Sequence, residues 1–186
     1  MNNDQEAKTR ILKAAQEILA QTDDIDKVTI RQIAERAEVG IGLINYHFQS
    51  KDNLMSMAIG DVMTHMAGDF AVSSDSGQPV QKLKTMLKAL CDYAVGYEKL
   101  LQFAVSHSLQ NGDTKAQLLL VPVLREIFGG KKDEMQLRVL ALQILLPLQA
   151  PILCPSEFRI YCGVDLFDEA QRNNYIDTLV DNIIKI

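Results

Sequence analysis

Apolar residues in this chain recur mostly at helical spacing. Ile11, Leu12, Ala15, Ile18 and Leu19 repeat at i, i+1, i+4, i+7 and i+8, the stripe of an amphipathic helix with a period of about 3.6 residues. The spacing predicts a first helix over about residues 5–21. A polar run at 22–27 interrupts it, and Thr29 then stands where an N-cap side chain accepts a backbone N–H from the following turn. The second helix has Ile33, Ala34 and Ala37 as its inward face. Glu38-Val39-Gly40 reads as a three-residue turn, with Gly40 supplying backbone freedom, before a third helix from about Ile41 to Gln49. Ser50 caps a fourth, in which Leu54, Met55, Ala58, Ile59, Val62 and Met66 carry the pattern on to about Val72.

The remainder repeats the theme. Residues 73–77, Ser-Ser-Asp-Ser-Gly, read as a linker, and Pro79 suits the first turn of a fifth helix ending near Gly96. Further helices are predicted at about 98–110, 114–128 and 132–149, separated by Asn111-Gly112 and Gly129-Gly130. Asp168 with Gln171 three positions on resembles a capping box. It opens a last helix carrying Tyr175, Ile176, Leu179, Val180, Ile183 and Ile184. No segment reads as a convincing strand, so the chain is expected to be all-α.

Composition narrows the chemistry. With 186 residues, 47% hydrophobic and 23% charged, the chain is neither disordered nor fibrous. A formal charge of −5 argues against a protein coated in Lys and Arg that binds polyanions indiscriminately, so any phosphate contact must be local. Cys91, Cys154 and Cys162 are odd in number and lack metal-ligand spacing, so neither a disulfide framework nor a metal site is expected, and a reducing cytoplasm fits best. No cofactor is indicated. Asp4 and Glu6 precede any apolar stretch, unlike a signal peptide. The segment Val139–Cys154 is interrupted by Gln143, Pro147, Gln149 and Pro151 and is expected to be too short and broken to span a membrane.

A short helix, a tight turn and a second short helix form the geometry that seats one helix in a DNA major groove while the other braces across it. At about 100° per residue, Ile44 and Phe48 share one side of the third helix, while Gly42, Leu43, Asn45 and Tyr46 fall on the side or back away from it. That outer face has no carboxylate and includes a glycine, which costs about 1 kcal/mol of helix propensity. Either close approach by DNA or close packing of another helix compensates.

The stretch from Thr29 to Leu54, TIRQIAERAEVGIGLINYHFQSKDNL, resembles the amino-terminal DNA-binding region of the TetR family of transcriptional regulators. The resemblance covers about residues 5–66, with the helix-turn-helix at about 29–48. It implies a second, larger helical domain at 67–186 for effector binding and dimerisation. It also implies a homodimer built largely from the last two long helices, a small-molecule effector, and an operator in double-stranded DNA. A two-fold dimer makes that operator a palindrome. Where residues match, Thr29 and Lys51 are expected at phosphates, Tyr46 and His47 reach the backbone, and Gly42 permits close approach. Gly40, Ile41, Leu43 and Asn45 depart from the family's commoner residues. Ile41 or Leu43 is suited to a thymine methyl and Asn45 to an adenine edge. Residues 1–51 contain seven Lys or Arg against eight Asp or Glu, so binding depends on distribution, with Arg10, Arg31 and Lys51 expected around the recognition helix.

For the effector, His65, Met86, Cys91, Tyr93, Tyr97, Phe103 and His107 lie on helices that the resemblance sets around a cavity; the plainer alternative is that they are core or exposed. For the dimer, Leu137, Leu140, Leu145, Leu148, Tyr175, Ile176, Leu179, Val180 and Ile183 form the expected surface, unless one protomer buries them. The leading expectation is a ligand-responsive repressor, without enzymatic activity or membrane partner. Alternatives are a thiol redox-sensing regulator and a small helical enzyme using His65, His107, Cys91 or Cys162, for which no catalytic motif is present.

Overall fold

The structure, a computed structural model, describes residues 2–22, 24–73 and 78–185. Among these, every long element is a helix: α1 Asn2–Leu19, α2 Ile30–Ala37, α3 Ile41–Phe48, α4 Lys51–Ser73, α5 Pro79–Gly96, α6 Glu98–Gln110, α7 Lys115–Leu118, α8 Val121–Phe128, α9 Glu134–Leu153, α10 Pro155–Cys162 and α11 Glu169–Ile184. A single 3-10 turn, Ile25–Lys27, occupies the polar break. Most of the expected linker, 74–77, lies outside the described residues.

The chain divides into two compact units, 1–62 with 99–111, and 63–98 with 112–186. The boundary expected at 66 therefore falls earlier. Residues 99–111, assigned from sequence to the second domain, pack with the first, where α6 buries Leu100, Leu101, Ala104 and Val105.

In the first unit, Ile11, Ala15, Ile33, Ala34, Ile44 and Phe48 are buried together with the first turns of α4. Thr29 caps α2 in a complete box: its hydroxyl accepts the Gln32 N–H at 3.2 Å while Gln32 Oε1 accepts the Thr29 N–H at 2.8 Å. The turn to α3 is made differently from expectation. Gly40 has ordinary extended angles, φ −74° and ψ 145°, whereas Glu38 takes the left-handed conformation, φ 55° and ψ 48°. A residue with a Cβ there costs about 1–2 kcal/mol.

The second unit has one apolar centre, including Leu83 and Leu87 of α5, Leu124 of α8, Leu137 and Ile144 of α9, and Ile176 of α11. Three charged rungs align α5 with α11. Lys84 Nζ lies 2.8 Å from Asp181 Oδ1, Lys88 Nζ donates to Asp177 Oδ2 at 2.8 Å, and Arg172 bonds Asp92. Successive turns of α5 thus read plus, plus, minus, and α11 answers in antiparallel order. Sliding one turn brings Asp92 against Asp177, a like-charge clash that disfavours the wrong register.

Proline shapes the rest. The expected helix 114–128 is two helices, because the ring of Pro122 excludes the carbonyl four residues back and its missing N–H ends the ladder. By contrast, α9 runs through Pro147 and Pro151 to Leu153, past the expected end at 149. Pro151 cannot donate to the Pro147 carbonyl, and the Tyr175 hydroxyl of α11 donates to it instead at 3.1 Å. As one continuous element, α9 is long and apolar enough by composition to cross a membrane, contrary to expectation, and one face of it forms the core. Helix α10, which opens at Pro155, is not among the helices expected from the sequence. Asp168 caps α11 by accepting the Gln171 N–H at 2.9 Å, but the box is not reciprocal: Gln171 Oε1 accepts from the Asp165 N–H.

The expected dimer residues are largely consumed by this packing. Leu137, Leu140, Leu148, Ile176 and Val180 are buried core, and Leu145, Tyr175, Leu179 and Ile183 pack partly buried against it. The exposed large apolar residues of α9 are Met135, Val139 and Leu146, a different phase of the same helix, on a surface shared with Gln143.

Burial pushes the Cys91 thiol from 9.0 up to about 12, with Arg172 opposing and Asp92 adding to the rise. The folded protein therefore keeps this proton where the unfolded chain has lost it. The associated stability is fully present below pH 9 and is lost as pH rises toward 12. Denaturant titrations across that window should show wild-type stability falling more steeply than that of Cys91→Ser, by up to ~1.4 kcal/mol per pH unit. Parallel slopes would contradict the assignment.

Candidate nucleic-acid interface and effector cavity

Helix α3 buries Ile44 and Phe48, at 1% and 0% exposure, and turns Gly42, Asn45 and Tyr46 outward, Tyr46 at 71%. Ile41 is 46% exposed and Leu43 is half-buried at the edge. A Cβ built on Gly42 or on Gly40 meets nothing within 4 Å. Among the described residues nothing comes within 4 Å of a Cβ at 42, so intramolecular close packing does not explain this glycine. The turn joining α3 to α4 is secured from the α4 side. Asn53 Nδ2 donates to the Phe48 carbonyl at 2.9 Å, and Ser50 Oγ accepts the Asn53 N–H at 3.1 Å. Lys51 begins α4, where unpaired N–H groups favour an anion.

His47 departs from expectation. Its side chain is 8% exposed, and Nε2 lies 3.2 Å from Asp4 Oδ1 of α1 without hydrogen-bond alignment. The imidazole therefore braces α3 against α1 instead of standing outward beside Tyr46, whose ring it meets edge-on at 5.1 Å. Arg31 is exposed and held by Glu35, with Nε to Oε1 at 3.0 Å, and Arg36 faces Glu17 at 3.5 Å. Such exposed pairs are worth little and open readily. Thr29 spends its hydroxyl on Gln32, donating to Oε1 at 2.9 Å. Asp4, Gln32 and Asn53 were missed from sequence; the Thr29-x-x-Gln32 spacing was the available signal for one of them, and nothing local marks the other two.

In the second unit, a cavity of about 220 Å³ opens between the end of α5, α9, α10 and α11. Its wall includes Ala94, Val95, Leu148, Pro151, Phe158 and Ile176. Of the seven effector candidates, Cys91 lines it. Cys91, Ala94 and Val95 lie at i, i+3 and i+4 on one face of α5, and Glu98 opens α6 at the rim. Tyr93 falls on another face, and its ring meets that of Tyr97, just past the helix end, at 4.5 Å with a 31° tilt. Met86 is in the core, His65 is exposed, and Phe103 and His107, stacked at 5.8 Å, belong to the first unit. Cys154 and Cys162 are exposed. No group of His, Cys, Asp and Glu suited to a metal occurs among the described residues.

Comparison with known proteins follows this division. Residues 11–57 match the family described as bacterial regulatory proteins, tetR family. No curated protein matches the sequence. Solved structures match over nearly the whole chain. A TetR transcriptional regulator from Rhodococcus sp. RHA1 has 17% identity, 97% coverage of both chains and a TM-score of 0.72. The TetR family repressor AlkX from Dietzia sp., implicated in biodegradation of n-alkanes, has 17% identity, 96% coverage of both and a TM-score of 0.66. FadR from Thermus thermophilus, a TetR family repressor solved in complex with lauroyl-CoA, has 18% identity, covers 91% of this chain and 92% of its own, and gives a TM-score of 0.64. Residues 11–57 thus carry the tetR-family sequence pattern on an exposed helix-turn-helix, and the chain as a whole shares the fold of these solved regulators.

Proposed function

We propose that the protein is a cytoplasmic homodimeric repressor that binds a palindromic operator through α3 and releases it when a small molecule fills the cavity of the second unit. The observation that carries this reading is the outer face of α3. It combines no carboxylate, an exposed amide and phenol, and a glycine against which nothing packs among the described residues. Ile41 and Asn45 meet base edges, and Tyr46, Lys51 and the amino terminus of α2 hold phosphates. His47 acts from behind, keeping α3 against Asp4. The lauroyl-CoA bound to FadR supports an effector with substantial apolar surface. A thiol switch at Cys91 is disfavoured chemically, since the reactive form is the thiolate and burial keeps this thiol protonated at neutral pH.

The partner surface in this reading is the outward stripe of α9, Met135, Val139 and Leu146. Two copies joined there set their α3 helices about 34 Å apart or a near multiple. Ligand and operator then oppose each other reciprocally, each weakening the other's affinity by the same factor.

Gly42→Ala separates the two explanations of that glycine. It should raise folding stability by about 1 kcal/mol in thermal or chemical denaturation, because the added methyl meets only open space, while weakening operator binding in fluorescence anisotropy. Unchanged DNA affinity would remove α3 from the interface. Lys51→Ala should lower the slope of log affinity against log salt by about 1; an unaltered slope places Lys51 away from phosphate. The double substitution Val139→Lys and Leu146→Lys should give monomers by sedimentation at unchanged helical content, whereas a persistent dimer moves the interface elsewhere.

A further inference from the structure

We propose that the cavity of the second unit takes a neutral, hydrocarbon-rich effector of about ten non-hydrogen atoms and discriminates against an ionised carboxylate of the same skeleton. This rests on the reading of that cavity as the effector site and adds the chemical class. Size comes first. The cavity is about 220 Å³, and an apolar cavity of roughly 150 Å³ holds benzene, so by proportion this one holds roughly nine or ten carbon-sized atoms.

Charge decides the head group. The wall contains two cations, and each already has its anion. Arg159 Nη1 lies 3.0 Å from Asp165 Oδ2. Arg172 donates from Nε to Asp92 Oδ1 at 2.9 Å and from Nη1 to the Leu166 carbonyl at 2.7 Å. The Tyr175 hydroxyl is committed to the Pro147 carbonyl at 3.1 Å. Glu98 adds a carboxylate at the exposed rim. An entering carboxylate gives up hydration and finds the positive charges of the wall already paired, a cost that a neutral head group on the same chain does not carry. A neutral molecule has no such cost and gains the apolar burial. The protonated thiol of Cys91 reports the same environment from within: burial there opposes negative charge.

One pairing is accessible to a gain-of-function test. Asp165 Oδ1 accepts the Phe167 N–H at 3.0 Å while Oδ2 holds Arg159. Asp165→Asn keeps an acceptor for Phe167 and releases the arginine to face a ligand. Isothermal titration calorimetry with 1-octanol and with octanoate, two probes of one chain length, compares the head groups directly. At pH 8, wild type should bind 1-octanol at least tenfold more tightly than octanoate. Octanoate affinity should climb as pH falls toward its own ionisation, because the neutral acid is the species that enters. In Asp165→Asn, octanoate should tighten at least tenfold with 1-octanol little changed. Ala94→Phe, which fills the cavity, should abolish both. Octanoate equal to or tighter than 1-octanol in wild type, with both lost in Ala94→Phe, overturns the head-group rule and leaves the cavity as the effector site. Binding of neither probe, or binding unaffected by Ala94→Phe, overturns the cavity assignment together with the proposal.

Discussion

Two side chains fix the orientation of the recognition helix. Of the eight residues of α3, only Ile44 and Phe48 are fully buried, one turn apart on one face. Burying them is worth about 2 kcal/mol each and commits the opposite face to solvent. Gly42, Asn45 and Tyr46 are outward because those two are inward. The rest of the first unit serves this arrangement. Asp4 meets His47 at one edge, and Asn53 donates to the Phe48 carbonyl at the end of α3. Residues 1–51 carry eight Asp or Glu against seven Lys or Arg, but the ridge itself presents no carboxylate to an approaching phosphate.

The second unit solves a different problem, that of keeping a void beside a packed core. Its core is closed by leucine and isoleucine from α5, α8, α9 and α11, and register comes from the alternating rungs Lys84–Asp181, Lys88–Asp177 and Asp92–Arg172. The void lies past the last rung, where α10 returns after Cys154. Tyr175 links the parts around it, with its hydroxyl on the Pro147 carbonyl and its ring edge-on to Phe158 at 5.3 Å. The two arginines of that wall are paired within the fold, Arg159 with Asp165 and Arg172 with Asp92.

Period and capping make much of this legible in the sequence. Ile33, Ala34, Ala37, Ile44 and Phe48 are buried as their spacing requires, and the turn at 38–40 joins the expected helices. The misses share physical causes. A helix as apolar as α9 has a weak phase, so spacing could not separate its inward Leu137, Leu140 and Leu148 from its outward Met135, Val139 and Leu146. Proline reads as a breaker from local chemistry, yet Pro151 is tolerated because Tyr175, distant in sequence, supplies the missing donor. Glycine at 40 suggested the strained turn residue, but the left-handed cap came one position after α2 ends, at Glu38. The approach of Asp4 to His47 and the face of α5 that lines the cavity depend on tertiary placement that no local window contains.

The central claim is that the exposed ridge of α3 reads duplex sequence twice within one symmetric assembly. Selection of bound duplexes from a random pool by the wild-type protein tests it most directly. The account predicts enrichment of one inverted repeat whose half-sites are centred about one helical turn, or a near multiple, apart. Recovery of unrelated sequences, or of a motif with no two-fold symmetry, would contradict it.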